Sequence, residues 1–148
     1  MSIALILLFI LYEFFDRPSQ DFLSINIINI IDKRDYKIIS LSLENNSTKN
    51  TKGLLLLLLG LEASEIKENA TYYQFKNFSL FNSTTIILSP SERKKLDFNI
   101  SSKFLNNTKR FVFIYDKDLS DNSINNYDYL ALRRERTVWV QVWIDLRS

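Results

Sequence analysis

A run of six leucines between two glycines most narrowly limits what this chain can fold into. Leu54–Leu59 lies between Gly53 and Gly60, the only glycines among 148 residues. The apolar stretch is far shorter than the roughly 20 residues that a membrane-spanning helix needs. It is therefore predicted to be a strand buried on both faces, although a short apolar run can also form a helix.

Apolar and polar residues alternate with a period of two on both sides of this run. In residues 36–43 the apolar side chains Ile39, Leu41 and Leu43 alternate with Ser40 and Ser42. In residues 95–101 Leu96, Phe98 and Ile100 are predicted to point inward, with Asp97, Asn99 and Ser101 outward. Further strands are predicted at residues 22–31, 53–61, 71–81, 84–88, 111–115 and 137–146.

This spacing predicts the fold class. Seven or eight strands about ten residues apart are typical of an antiparallel sandwich. The predicted fold is all-β, an Ig-like antiparallel β-sandwich of seven to eight strands, preceded by one short N-terminal hydrophobic helix. Residues 1–17 are predicted to be that helix, and residues 18–148 the sandwich domain.

The N-terminal segment is apolar but short. A helix over residues 2–15 would be about 21 Å long, against a hydrocarbon core of about 30 Å, and Pro18 ends it. We expect a short membrane anchor. An uncleaved or mis-started signal sequence and a buried core helix are the alternatives. The first has neither a basic start nor a small-residue cleavage site. The anchor side chains are Ile3, Leu5, Leu7, Leu8, Phe9, Leu11, Phe14 and Phe15.

The composition excludes much familiar chemistry. Histidine and cysteine are absent, which removes the commonest zinc, copper and iron ligands, disulfides and thiol nucleophiles. A net charge of +2 does not favour nucleic acid. We therefore expect no enzyme activity, no cofactor and no metal, with a small carboxylate-based hydrolase as an alternative. The segment Asp116–Asp121 resembles the start of a calcium loop but lacks the required glycine and glutamate.

The motif N-x-S/T, the acceptor for N-glycosylation, occurs seven times where chance gives about two. The predicted acceptors are Asn45, Asn46, Asn69, Asn77, Asn82, Asn99 and Asn106. Many acceptors without cysteine are typical of an archaeal surface protein rather than a eukaryotic secreted domain. The motif therefore predicts an extracellular domain that carries covalent N-glycans.

The distribution of these motifs predicts an interface. None lies in residues 1–44 or 109–148. Because the first and last strands of a sandwich often lie together, both terminal regions are expected to form a glycan-free, protein-binding side. Trp139, Gln141 and Trp143, on one face of the last strand, are its predicted contacts. The alternative is that both faces of this strand belong to the core.

Two stretches resemble a known family. Residues 39–47 with residues 53–56 resemble the strand, Asn-Gly/Ser turn and apolar strand that open Ig-like archaeal surface domains. Leu88–Glu92 with residues 96–100 resembles their "L-x-P-G-E, then alternating strand" element, with Ser91 in place of the glycine. Such sandwiches occur in the cell-adhesion-related β-sandwich domain and in the membrane-anchored stator proteins of the archaellum. The resemblance implies a binding module that faces the cell exterior and contacts the surface layer or a membrane machine.

These observations lead to one functional prediction with two alternatives. We expect a non-catalytic, membrane-anchored, N-glycosylated extracellular module. It would act as a subunit or stator of an archaeal cell-surface machine or membrane protein complex, with other protein subunits as partners. The alternatives are a pilin-like filament subunit, assembled through its N-terminal segment, and the small hydrolase.

Overall fold

The computed structural model describes residues 22–105, 108–117, 119 and 129–144, which form eight β-strands and no α-helix. Two short 3₁₀ helices, Ser102–Phe104 and Arg134–Arg136, lie beside β5 and β8. The predicted anchor, residues 1–17, lies outside the described residues. The strands are β1 (Leu23–Asp32), β2 (Tyr36–Asn45), β3 (Thr51–Glu68), β4 (Tyr72–Leu88), β5 (Arg93–Ser101), β6 (Arg110–Lys117), β7 (Tyr129–Arg133) and β8 (Thr137–Trp143).

The strands form two antiparallel sheets, which confirms the all-β antiparallel prediction. One sheet has the order β1-β2-β5 and the other the order β7-β4-β3-β6-β8. Each neighbouring pair is antiparallel. Within the described residues, no helix is long and apolar enough to cross a bilayer.

The core between the two sheets is formed by the side chains that the alternation predicted. Ile39, Leu41 and Leu43 are fully buried, whereas Asp97 and Asn99 point outward. The five-stranded sheet contributes the other half of this inner cluster, mainly Leu55, Leu57, Leu59, Ile86, Leu88, Phe111, Phe113 and Tyr115. The alternating pattern of β2 and β5 therefore identifies the core face correctly.

The leucine run is buried on both faces, as predicted. The alternate leucines Leu54, Leu56 and Leu58 point away from the inner cluster into a second, outer cluster. The other members of this outer cluster include Tyr73, Phe75, Phe78, Val112, Ile114, Leu130 and Leu132. The five-stranded sheet thus has apolar packing on both sides. For this reason the sequences of its central strands are continuous apolar runs.

A bend in the long β3–β4 hairpin builds this outer cluster. Gly60 pairs with Phe78 and Glu65 pairs with Lys76, so residues 61–64 face Asn77 alone. Asn77 has a φ of 62°, a left-handed conformation that asparagine tolerates better than most residues. Beyond the bend the hairpin folds over the outer face, and β7 extends it by pairing with β4.

The structure corrects several predicted elements. Residues 71–81 and 84–88 are not separate strands but parts of β4, which contains a bulge where Leu57 pairs with Asn82 and Leu58 with Leu80. β7 was not predicted, because its five residues Tyr-Leu-Ala-Leu-Arg are too short to show a period. β8 ends at Trp143, before the predicted end at residue 146.

Candidate functional site

Two edge strands lie together on one side of the sandwich. β1 is an edge of the three-stranded sheet and β8 an edge of the five-stranded sheet, and the two strands are in contact. We call residues 23–31 and 137–143 the β1–β8 flank. Among the described residues, each strand pairs on one side only, with β2 and β6 respectively. The predicted proximity of the first and last strands is therefore confirmed.

The β1–β8 flank contains no charged residue, although 24% of the chain is charged. Three isoleucines are exposed on it, and Ile28, at a bulge in β1, has 53% of its surface accessible. The other two are Ile30 and Ile31. Edge strands of monomeric proteins usually carry charges that prevent another chain from pairing with them. An uncharged edge with exposed apolar residues is suited to binding a partner.

The opposite side carries the predicted glycan acceptors. β5 lies at the far edge of its sheet, and residues 77–88 of β4 are unpaired on one side within the described chain. β5 carries charges, whereas this part of β4 is uncharged but contains two N-x-S/T motifs. The acceptors Asn77, Asn82 and Asn99 are all exposed here. A glycan would shield the uncharged β4 edge. The strands of the β1–β8 flank contain no acceptor motif, although the exposed acceptor Asn46 in the loop after β2 donates a hydrogen bond to Ser24 at the start of β1.

The remaining predicted acceptors differ in their exposure to solvent. Asn46 and Asn69 are exposed in loops, and Asn106 lies outside the described residues. Asn45 is fully buried, and its amide nitrogen donates hydrogen bonds to the backbone oxygens of Lys49, Leu88 and Ser89. The folded domain leaves no room for a glycan at Asn45, which corrects the prediction for this residue.

The three predicted contacts on β8 have different environments. Trp139 is half-buried and makes edge-on contacts with Tyr73 and Phe75, at 5.9 Å between ring centres in both cases. It therefore packs in the outer cluster, as the alternative interpretation of this strand expected. Gln141 is also half-buried, and its side-chain oxygen is buried without a hydrogen-bond partner among the described residues. Trp143 remains available, with 64% of its surface exposed.

Trp143 forms one wall of an open cleft of about 370 Å³ at the end of β8. The register of β3, β6 and β8 places Gly60, Arg110 and Trp143 side by side. The guanidinium carbon of Arg110 lies 5.0 Å from the centre of the Phe78 ring and 5.1 Å from that of Trp143. The lining includes Leu61, Glu62, Ser64, Lys109, Arg110 and Trp143.

Among the described residues, the hydrogen bonds of the Arg110 side chain all go to Ser64. Its Nη2 donates to the Ser64 carbonyl oxygen at 2.5 Å, and both Nε and Nη2 donate to the Ser64 hydroxyl at 3.3 Å. Burial lowers the pKa of Arg110 from its ordinary value, because desolvation disfavours the charged form. Among the described residues no carboxylate pairs with it. Sequence reasoning missed this residue, since its partners are distant along the chain.

Of the five other described arginines, all except the exposed Arg34 are paired with a carboxylate. Four described arginines each have a carboxylate oxygen at 3.9 Å or less. These are Arg93, Arg133, Arg134 and Arg136. Arg110 is instead a fixed cation that lies against two aromatic rings.

The calcium-like segment begins in the interior. Asp116 is fully buried, and Thr137 donates a hydrogen bond to it at 2.9 Å. This contact ties the end of β6 to the start of β8. Asp118, Ser120 and Asp121 lie outside the described residues. Within the described part of the chain, no group of three acidic side chains is arranged to hold a metal ion.

No protein-family model matches the chain, and no characterised protein matches it by sequence. The solved structures similar to it include a β-glucosidase from Kluyveromyces marxianus in complex with glucose. That structure is 11% identical, has a TM-score of 0.44, and aligns with 82% of this chain and 15% of the enzyme. β-Glucosidase 3B from Thermotoga neapolitana is 12% identical, with a TM-score of 0.38 and coverages of 81% and 17%.

A third similar structure is a mutant β-glucosidase from Listeria innocua in complex with laminaribiose. It is 10% identical, with a TM-score of 0.43, and aligns with 75% of this chain and 16% of the enzyme. This chain thus spans only a small part of these proteins. Because the similar structures are enzymes, they contradict the prediction that the chain is not an enzyme, and we withdraw that prediction.

Proposed function

We propose that the chain is a membrane-anchored, N-glycosylated extracellular module that docks onto a protein partner through the β1–β8 flank. In this role it is a subunit or stator of a cell-surface machine or of a membrane protein complex. The machine or complex would be archaeal, because the turns of the chain resemble those of archaeal surface domains. The strand orders β1-β2-β5 and β4-β3-β6-β8 support an Ig-like sandwich, to which β7 adds an edge. The observation that carries the proposal is that the uncharged part of the β4 edge contains two exposed glycan acceptors, whereas the strands of the β1–β8 flank themselves contain none.

The direction of the strands indicates how the sandwich would be oriented relative to the membrane. Residues 1–17 precede Phe22, whose ring lies 6.1 Å from that of Tyr115 and 5.0 Å from the Lys117 ammonium group. In the proposed arrangement, an anchor formed by residues 1–17 would join the sandwich at the end of β6 that carries Lys117. Arg110 lies at the opposite end of β6, seven residues from Lys117. At about 3.3 Å per residue in a strand, the two ends are roughly 23 Å apart. The β1–β8 flank would extend outward from the membrane over this distance.

Glycosylation and anchoring can be tested separately on the chain isolated from its own cells. Site-resolved mass spectrometry of glycopeptides should find sugar on exposed acceptors, including Asn82 and Asn99, and none on the buried Asn45. Absence of sugar at every acceptor would overturn the extracellular placement.

The anchor is tested by placing charge in the apolar segment. Leu7→Glu together with Leu8→Glu should release the chain from membranes that are washed with carbonate, because burying a carboxylate in the bilayer is costly. Ile87→Glu is the control, since Ile87 is already exposed on the sandwich. Unchanged membrane association of the double variant would overturn the anchoring.

A further inference from the structure

Within the described part of the chain, Arg110 has hydrogen-bond donors that make no bond. Nε and Nη2 make the bonds to Ser64, whereas Nη1 makes none of them and is not among the buried polar atoms without a partner. A charged guanidinium N–H group makes a short, strong hydrogen bond to a carboxylate oxygen. The rings of Phe78 and Trp143 and the bonds to Ser64 fix the orientation of the guanidinium, so little entropy would be lost on binding.

The surroundings of Arg110 favour an anion. Lys109 also lines the cleft, and Glu62 is the only acidic residue in its described lining. The described lining of the cleft therefore carries two positive charges and one negative charge. The largely exposed ring of Trp143 forms one of its walls. An apolar wall lowers the local dielectric and strengthens a charge-assisted hydrogen bond.

We infer that this cleft binds a carboxylate group of a partner polypeptide, with Arg110 Nη1 and Lys109 as donors and Trp143 against the adjoining side chain. The inference rests on the proposed docking function and names the chemistry of the partner. A polypeptide is favoured over an anionic lipid, because the cleft lies at the end of the sandwich remote from the proposed anchor. A polypeptide is also favoured because the cleft adjoins the unpaired edge of β8, along which an extended chain can pair.

The inference is tested by titrating the full chain, in detergent, with small probes. The first probe is the peptide acetyl-Val-Glu-Val-amide, and the second has Gln in place of Glu. Nuclear magnetic resonance reports the side-chain Nε–H of Arg110 and the indole N–H of Trp143. We expect the Glu peptide to shift both signals, and the Gln peptide to bind at least about tenfold more weakly.

Variants of the lining should change the affinity in opposite directions. Arg110→Lys should weaken binding of the Glu peptide by about tenfold or more, because an ammonium group cannot bond Ser64 and present an outward donor in the same planar geometry. Lys109→Gln should weaken it and Glu62→Gln should strengthen it, each by about two- to fivefold at low salt. Arg134→Lys is the matched control. Arg134 also stacks on an aromatic ring, at 5.3 Å from Tyr73, but it is already paired with Glu68.

The possible outcomes separate the two proposals. Equal binding of the Glu and Gln peptides, or full binding by a folded Arg110→Lys variant, would overturn the carboxylate site and leave docking through the flank standing. Tighter binding of glucuronate or of inorganic phosphate than of the Glu peptide would overturn the polypeptide source. Retention of the dispersed amide spectrum by each variant shows that a lost signal reports binding rather than unfolding.

Discussion

The side-chain nitrogen of Asn45 donates a hydrogen bond to the backbone oxygen of Leu88 at 3.1 Å in the interior of the domain. The same amide group also donates to Lys49 and Ser89 and accepts from Ser47. One asparagine therefore joins the end of β2, the following loop and the end of β4. A residue that sequence reasoning assigned to glycosylation is instead a structural cross-link.

Asn45→Ala should lower the free energy of unfolding by about 2–4 kcal/mol, because it leaves buried backbone oxygens without donors. Urea unfolding of protein from a host that does not glycosylate measures this loss. Asn46→Ala is the control, since Asn46 is exposed and makes an exposed bond to Ser24. It should cost about 0.5 kcal/mol or less. Equal costs for the two variants would contradict the cross-link.

Ser91→Gly should raise the free energy of unfolding by about 0.5–1 kcal/mol. Ser91 has a φ of 63°, which suits glycine, and it follows Pro90 in a turn closed by the bond from the Glu92 amide to the Ser89 oxygen. Ser83→Gly, in the exposed part of β4, should have the opposite sign, because glycine weakens a strand. The midpoints of urea unfolding compare the two, and a destabilised Ser91→Gly variant would refute the expectation.

The two tryptophans of β8 should differ in their effect on stability. Trp139→Ala should cost about 2–4 kcal/mol, because Trp139 packs edge-on against Tyr73 and Phe75 in the outer cluster. Trp143→Ala should cost about 1 kcal/mol or less, since it loses mainly the contact with Arg110. Chemical unfolding followed by circular dichroism distinguishes them. A larger loss for Trp143 would mean that the outer cluster is assigned wrongly.

Gly60→Ala should cost about 1–3 kcal/mol and should disturb the cleft. A Cβ atom at this position would lie 2.5 Å from the Phe78 ring and 2.7 Å from the Ser64 hydroxyl, two groups that hold Arg110. Ser79→Ala, at an exposed position in β4, serves as the control. The side-chain signal of Arg110 should shift in the first variant only. An unshifted signal at full stability would show that the packing around Gly60 tolerates a methyl group.

The sequence predicts the parts of this fold that depend on local pattern. The alternation in β2 and β5 identifies the core faces, because one side of each strand is buried and the other faces solvent. The leucine run predicts its own burial on both sides. The outer cluster could not be predicted, because it depends on the hairpin bend opposite Asn77 and on β7. The Arg110 cleft arises from the same bend, which brings Ser64 and Phe78 to the start of β6.

The central claim is that a partner occupies the β1–β8 flank, and a glycan placed on that flank tests it most directly. Ile31→Thr converts Asn29-Ile30-Ile31 into an acceptor motif on an exposed part of β1, whereas Ile31→Ala changes the same side chain without creating one. Ser83→Asn adds an acceptor to β4 as the control for extra sugar. The measurement is the size of the complex that contains the chain, in mild-detergent extracts of the producing cells. We predict that glycosylated Ile31→Thr is lost from the complex, while Ile31→Ala and glycosylated Ser83→Asn remain in it. Full assembly of the glycosylated Ile31→Thr chain would contradict the account.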